Sequence, residues 1–545
     1  MALNPPLAGE RAKPVTSHAP SDMRILLVSI DSLRRDLLGV YRDEPTGFGY
    51  TVDTPNLDRF ADRAAVFDAH YAGSLPCMPA RREWLTGVQE FLWRSWGPIE
   101  PFDAPLPRVF RQNGIPAALV TDHYHYFQHG SDGYYEDFNA FEFIRGHEWD
   151  AHRTTPKEPA DADFLEQIHA SDPHTLEWWN RIAYARNVAD LEDEADFFAP
   201  RVMSATAEWI RRNQAWDDWF CYVDSFDVHE PFHVPEPYAS MYTDEDPADP
   251  DLPLWPIYGR VDADGVEESS MVAHGSAALS PRQVDFVRSQ FAGKATMVDA
   301  WFGRVLDTLD EEGLWDDTMV VVTSDHGHYL GDHGWMGKPY APLYDVLAHT
   351  PLMVWHPESP RMGETIEALT AAVDLYATLL EAGGIDGPGT THSRSLMPLL
   401  RGETETHREW ALYGYWGSSV NVTDGRYTYL HPTRDDGELY CYSTSMMNHY
   451  GSQFDPMTPK TDAEGGRYLP YTDTPVWRWP AEPHRRHDEP MLFDTRADPD
   501  QTRDLVGTDP DTTDRMRGLL TAGLEALEAP PEVGDRLGVQ GGRSR

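Results

Sequence analysis

The chain has 545 residues, with 90 Asp and Glu against 45 Lys and Arg, and its formal charge of −45 opposes docking on nucleic acid. Its length exceeds one usual hydrophobic core, so a large domain with a smaller companion is expected. Three cysteines (Cys77, Cys221, Cys441) cannot form a disulfide framework, and neither 1–23 nor any later segment has a membrane-length apolar run, so a soluble, cytoplasmic protein with no membrane partner is expected.

Lysine is scarce, at positions 13, 157, 294, 338 and 460, leaving arginine to carry most of the positive charge. Solvated carboxylates with few lysines suit a protein working in high salt, where self-repulsion is screened over about 3 Å at 1 M. Lineage bias in composition explains the same numbers equally well.

In chain order, 1–21 reads as a disordered arm. The apolar run 24–30 stops at Asp31, and the next feature is Cys77-Met78-Pro79-Ala80-Arg81, followed by Leu85-Thr86-Gly87. Pro79 suits the first turn of a helix and Gly87 its stop, which sets the sulfur at a helix start whose free N–H groups favour an anion. The plain alternative is a buried structural cysteine. Run 116–121 ends in Asp122, His123 and His125; run 219–223 ends in Asp224, Asp227 and His229; run 319–323 ends in Asp325 and His326. Helical patterns lie between them at 202–210 and 286–309.

Short β-branched runs alternating with helices predict an α/β fold whose large domain, 22–402, has a mostly parallel central sheet flanked by helices. Ligands of such sheets sit beyond the carboxyl ends of the strands, so the four polar clusters are expected in one crevice. Residues 374–380 with Gly383-Gly384 predict a helix and its stop, and 395–400 closes the domain. From 403 to 530 short aromatic strands with Asp/Gly turns predict a small C-terminal α+β domain with an antiparallel sheet, and 531–545 reads as a disordered tail. Segments 130–200, 233–280 and 430–490, rich in Pro, Asp, Trp and Tyr, read as loops over the site. Trp84, Trp93, Trp96, Trp149, Trp178 and Trp179 offer stacking surfaces for a ring, though core is the expected fate of most.

The cysteine frame resembles the C-x-P-x-R signature of type I sulfatases, of the alkaline phosphatase superfamily. There the cysteine is oxidised by a maturation enzyme to formylglycine, the nucleophile. The likeness extends to Asp31-Ser32-Leu33-Arg34-Arg35-Asp36, to Thr54-Pro55-Asn56-Leu57-Asp58, to Thr323-Ser324-Asp325-His326-Gly327 with Lys338, and to Leu492-Phe493-Asp494. It implies one divalent cation, calcium by family with manganese or magnesium open, held by Asp31, Asp325, His326 and the oxidised side chain of Cys77. It implies that Arg81 supports the nucleophile, that His229 and Lys338 bind the transferring group, and that His125 is the base. His123 stands where the family commonly has a substrate-binding lysine.

The implied activity is hydrolysis of a small-molecule or saccharide sulfate ester. Two departures point elsewhere in the superfamily: Ser32 replaces a second metal-binding Asp, and His326 replaces Asn or Gln. Both resemble phosphonate monoester and phosphodiester hydrolases, which also use formylglycine. The third reading is a homologue that binds the anion without turnover.

Overall fold

The computed structural model describes residues 23–42, 47–128, 130–154, 162–169, 176–261, 279–339, 341–446, 459–483 and 487–539. The expected 1–21 arm lies outside them. Eight strands form the large sheet: β1 (Arg24–Ile30), β2 (Ala65–Phe67), β3 (Ala117–Thr121), β4 (Ala140–Phe143), β5 (Trp219–Ser225), β6 (Thr318–Thr323), β7 (Leu352–Trp355) and β8 (Thr365–Ile366). Their order is β8-β2-β7-β6-β1-β5-β3-β4. The four apolar runs read from the sequence are thus four consecutive neighbours, mutually parallel, with Leu27 opposite Tyr222 and Val321. Only β7 breaks the direction beside them, pairing antiparallel with β6.

The two-residue period of a strand explains the layers. Leu26, Val28 and Ile30 face a core shared with Val202, Phe286, Val298 and Phe302, from helices α2 (Phe198–Asn213) and α3 (Pro281–Glu311). Ile25 and Leu27 face the opposite core with Trp84 and Leu85 of α1 (Cys77–Thr86) and Leu375 and Leu379 of α4 (Asp374–Ala382). Helix α3 begins five residues before the expected 286–309 pattern because Ser280 caps it, its hydroxyl accepting from Gln283 N, with proline in the first turn. Helix α1 ends where the sequence puts its stop. Gly87 has φ +70, and a Cβ there would lie 2.7 Å from the Tyr376 ring.

The small sheet holds β9 (Ala411–Tyr415), β10 (Val420–Thr423), β11 (Tyr427–His431) and β12 (Met491–Asp494), all antiparallel. A fifth member comes from the large domain: Ser74–Leu75 pairs parallel with Gly414 and Tyr415. The sheet of the 403–530 segment is therefore completed by the residues that lead into Cys77. Helix α5 (Pro510–Ala526) covers it through Met516, Leu520 and Leu524.

Two expectations are corrected here. The 531–545 tail is not disordered throughout, because α6 (Pro531–Leu537) buries Val533 and Leu537, an i, i+4 pair, in the small-domain core, and Arg536 Nη1 donates to the Glu438 carbonyl at 3.1 Å. Gly538 stops the helix at φ +67, and 540–545 lie outside the described residues. Nor is 430–490 only loop: Leu439–Ser443 and Val476–Ala481 form an antiparallel pair that aperiodic, aromatic-rich sequence conceals. The 130–200 segment likewise contributes β4 and a helix, Leu176–Val188.

Among the described residues no helix is long and apolar enough to cross a membrane. The surplus of 45 negative charges acts on the folded state by self-repulsion, which salt screens. The melting temperature is therefore expected to rise steadily from about 0.05 to about 1 M KCl, as the Debye length shrinks from above 10 Å to about 3 Å. A flat or falling melting temperature in calorimetry across that range would remove the high-salt reading of the composition.

Candidate active site

The carboxyl ends of β1, β3, β5 and β6 meet in one buried pocket. Asp31 follows β1, and its peptide is locked to the β5 end: Asp31 N donates to Ser225 O and Val228 N to Asp31 O, each at 2.9 Å. Ser32 turns the chain away with φ +61 and spends its hydroxyl on Asp31 Oδ1 at 2.7 Å, while its N–H donates to Asp325 Oδ1 at 3.0 Å. Asp325 and His326 leave the end of β6. His326 Nδ1 donates to the Gly327 carbonyl at 2.8 Å, so the lone pair lies on Nε2, which is 3.2 Å from Cys77 Sγ.

Cys77 opens α1, and Arg81 lies one turn along it. The guanidinium is completely buried and grips three carboxylates from three adjacent strand ends. Nε and Nη2 bind Asp224 at 2.7 and 2.8 Å, Nη1 binds Asp325 at 2.6 Å, and Nη2 binds Asp31 at 2.9 Å. Three buried carboxylates share one guanidinium, so full ionisation of all three is costly in that group. Burial first, and Asp325 second, push Asp31 well above the usual carboxylate range. Burial also opposes ionisation of Asp325, but His326 and Arg81 overcome it and hold that carboxyl down.

One ligand atom each from Asp31, Cys77, Asp325 and His326 lies within 4.8 Å of the others, all buried. Two carboxylate oxygens and one imidazole nitrogen fit a divalent cation in number and in kind. The Cys77 thiol itself is pushed well up by burial and then by Asp31.

Outside this inner group stands Lys338, 3% exposed, its Nζ 3.7 Å from Glu230 Oε2 and 5.6 Å from the Tyr258 ring centre. Burial opposes the ammonium charge, yet Glu230 holds Lys338 above the ordinary lysine range. His229 donates through Nδ1 to the Glu230 carbonyl at 2.7 Å and stacks on Phe226 at 4.1 Å. Burial and then Lys338 push its imidazole well below the ordinary value, so it is neutral. Behind it, Lys294 Nζ donates to the carbonyls of His229 and Pro231, each at 2.7 Å, and pairs with Asp227 at 2.6 Å. That buried lysine fixes the loop on which His229 sits.

His123 stacks on the other side of Phe226 at 4.2 Å with Nδ1 3.3 Å from Asp224 Oδ2. It serves the carboxylate that holds Arg81. His125 is in another setting: Nδ1 meets Gln128 Oε1 at 2.9 Å, and Nε2 lies 3.2 Å from Glu148 Oε2.

Every candidate catalytic and metal-binding residue read from the sequence therefore lies in this pocket or in contact with a residue that does. Asp224 was legible as a strand-end acid but not as the partner of Arg81. Glu148 and Glu230 were missed, Glu148 because nothing in the aperiodic 130–200 segment marks it. Trp84, Trp93 and Trp96 are core residues, and Trp149 packs partly buried against the core. The side chains of Trp178 and Trp179 lie outside the described ones.

Residues 24–385 match the sulfatase family, and 331–446 match the C-terminal region of N-sulphoglucosamine sulphohydrolase. The multifunctional alkaline phosphatase superfamily protein PehA of Trinickia caryophylli is 26% identical over 89% of this chain and 91% of its own. An arylsulfatase of Clostridium perfringens is 24% identical over 71% of this chain and 80% of its own. Among solved structures, the phosphonate monoester hydrolase of Silicibacter pomeroyi superposes with a TM-score of 0.61 at 23% identity, covering 92% of this chain and 95% of its own. Since the family match spans well over half of the sequence, this chain belongs to the sulfatase family of the alkaline phosphatase superfamily and is a sulfuric ester hydrolase.

Proposed function

We propose that the protein hydrolyses a small-molecule or saccharide sulfate ester to alcohol and sulfate, using formylglycine made from Cys77 by a maturation enzyme and one divalent cation. The observation that carries this reading is the buried group of Asp31, Cys77, Asp325 and His326 with Arg81 one turn beyond the cysteine. Calcium is the proposed ion, since the charged ligands are hard oxygens; the His326 nitrogen keeps manganese and magnesium as alternatives. A cation held there neutralises charge on the ester oxygens. Hydrated formylglycine would supply one hydroxyl to attack sulfur and a second whose loss of a proton re-forms the aldehyde as the carbon–oxygen bond to sulfate breaks.

The remaining work falls to side chains already in place. Arg81, locked by Asp224, presents positive charge beside residue 77 without reorganising. Lys338, charged and desolvated, binds the anionic ester and gives the departing alcohol its proton, while neutral His229 orients the ester from the other side. His125, with its proton on Nδ1, offers Nε2 as the base. A reducing, cytoplasmic setting is part of the proposal, supported by three unpaired, buried cysteines.

A second reading, hydrolysis of a phosphonate monoester or phosphodiester, is favoured by Ser32. Its hydroxyl donates to Asp31 and adds no charge where a second acid would, so the cation would meet only two carboxylates. Sulfate monoesters and phosphodiesters both carry a single charge at the reacting centre, so one site accommodates both.

Two outcomes test the proposal. Protein made with the maturation enzyme should show formylglycine at position 77 by peptide mass spectrometry and turn over aryl sulfates faster than diesters. Cys77→Ala should lose at least about 10³-fold in turnover. Faster diester turnover by the same sample would transfer the protein to the second reading, and equal turnover by Cys77→Ala would end both.

The charge count gives a test without turnover. In chelator-treated protein Asp31→Asn relieves repulsion with Asp325, so its melting temperature should exceed the parent's. Added cation at about 100 times its Kd should stabilise the parent by about 2.7 kcal/mol and Asp31→Asn hardly at all. A parent indifferent to calcium, manganese and magnesium in that melt would refute the cation site.

A further inference from the structure

Lys294 is one of only five lysines in a chain that carries its positive charge on arginine, and it stands where a lysine is least expected. It lies in the middle of α3, is 2% exposed, and shares its face of the helix with the core residues Phe291 and Val298, at i−3 and i+4. An ammonium is costly to bury unless each of its three donors finds a partner. All three do: His229 O and Pro231 O at 2.7 Å each, and Asp227 Oδ1 at 2.6 Å. No donor is left for a ligand, so whatever Lys294 contributes passes through the groups it holds.

Those groups belong to the loop that leaves β5, and its backbone can be accounted for one bond at a time. Phe226 N donates to Asp122 Oδ1 at 2.7 Å, Val228 N to Asp31 O at 2.9 Å and His229 N to Phe226 O at 2.9 Å. Lys294 takes the carbonyls of residues 229 and 231, which have no other donor among the described residues. The carbonyl between them, that of Glu230, accepts from His229 Nδ1 at 2.7 Å, which leaves the lone pair of the neutral ring on Nε2. The peptide that fixes the His229 ring is therefore set between two peptides fixed by Lys294, and one residue earlier the same loop is bonded to the backbone of Asp31. Asp227 is less dependent on the lysine. Its Oδ1 also meets His147 Nε2 at 2.7 Å, and its Oδ2 accepts from Ala199 N, in the first turn of α2, at 3.1 Å.

We propose that Lys294 is a positioning residue for His229: its ammonium fixes the two peptides that flank the Glu230 carbonyl, and through that carbonyl the plane and tautomer of the ring that meets the ester. This rests on the reading in which His229 contacts the ester. The alternative role for Lys294 is to balance the charge of Asp227, and the two roles lead to opposite results in a protein that lacks both charges.

The test uses matured protein and whichever of an aryl sulfate and an aryl diester the parent turns over faster. Lys294→Met should lose about 10²-fold in kcat/KM, the cost of misplacing a group at the reacting centre, and should melt below the parent because Asp227 has lost its cation. Lys294→Met combined with Asp227→Asn removes both charges, so the melting temperature should recover while kcat/KM stays low, since the carbonyls of residues 229 and 231 still lack their donor. Asp227→Asn alone keeps both carbonyl bonds and should be much faster than the pair. Recovery of kcat/KM together with the melting temperature, or Asp227→Asn as slow as the pair, would overturn the assignment and leave Lys294 a counterion.

A double-mutant cycle identifies the target. His229→Ala should itself be slow, and adding Lys294→Met should slow it further by no more than about twofold, because nothing is left to position. Should Lys294→Met fail to fold, the charge-free pair takes its place in the cycle. The same 10²-fold loss in both backgrounds would overturn the assignment, whereas His229→Ala as fast as the parent would instead remove His229 from the ester reading, and this role of Lys294 with it. Unmatured protein supplies a readout without turnover. The ¹⁵N signals of His229, assigned by their loss in His229→Ala, should report a proton on Nδ1 in the parent and move toward each other in the charge-free pair as the tautomers mix. Signals unmoved in the pair would overturn the assignment.

Discussion

The grip of Arg81 on Asp31, Asp224 and Asp325 is the interaction on which the rest of the pocket depends. Its three carboxylates come from the ends of β1, β5 and β6, and the guanidinium comes from α1, so a single side chain ties the helix bearing Cys77 to three adjacent strands. The planar fork matters here, because a lysine ammonium could not hold Asp224 bidentately while reaching two further acids. Such a group is costly to bury, and removal of the arginine would leave three carboxylates facing one another without water. The pocket is thus built around an excess of acids over bases, and the acids that carry it are the ones that anchor α1.

The small domain belongs to the same construction. Ser74–Leu75 sits in the small sheet directly before Cys77, and Ser74 N donates to Glu83 Oε2 on α1 at 2.7 Å. On the other side of the pocket the Tyr415 hydroxyl donates to the carbonyl of Lys338 at 2.9 Å. A second buried ion network, Arg82 with Glu90 and Asp103, and Arg94 with Glu90 and Glu100, continues from α1 to Ser443 and Thr444, whose hydroxyls donate to Glu100. The C-terminal segment therefore holds both the approach to Cys77 and Lys338, so the two are positioned by one sheet.

What could be read from the sequence followed from chemistry that has a local signature. β-Branched runs ending in Asp and His predicted parallel strands and the crevice at their ends, and all four runs proved to be neighbours. Cys77, Pro79 and Gly87 fixed a helix whose start and stop are where those residues put them. Ser74–Leu75 carries no such signature, since two residues acquire strand geometry only from a partner more than 300 positions away. The same holds for α6, whose two apolar anchors are hidden among Gly, Arg and Asp.

The two shells of charge also divide the chemistry. In the inner shell acids outnumber bases; in the outer shell Lys338 is held charged beside Glu230 while His229 is held neutral by burial. A singly charged ester brought to this boundary would meet the positive charge of Lys338, with Glu230 Oε2 3.7 Å from its Nζ. A dianionic phosphate monoester would bring a second negative charge toward that carboxylate in a site that excludes water, where such repulsion is weakly screened. Glu148 and Glu230 therefore bring negative charge to the outer wall of the pocket, one carboxylate oxygen of each lying within 4.8 Å of the other and of a His229 ring nitrogen.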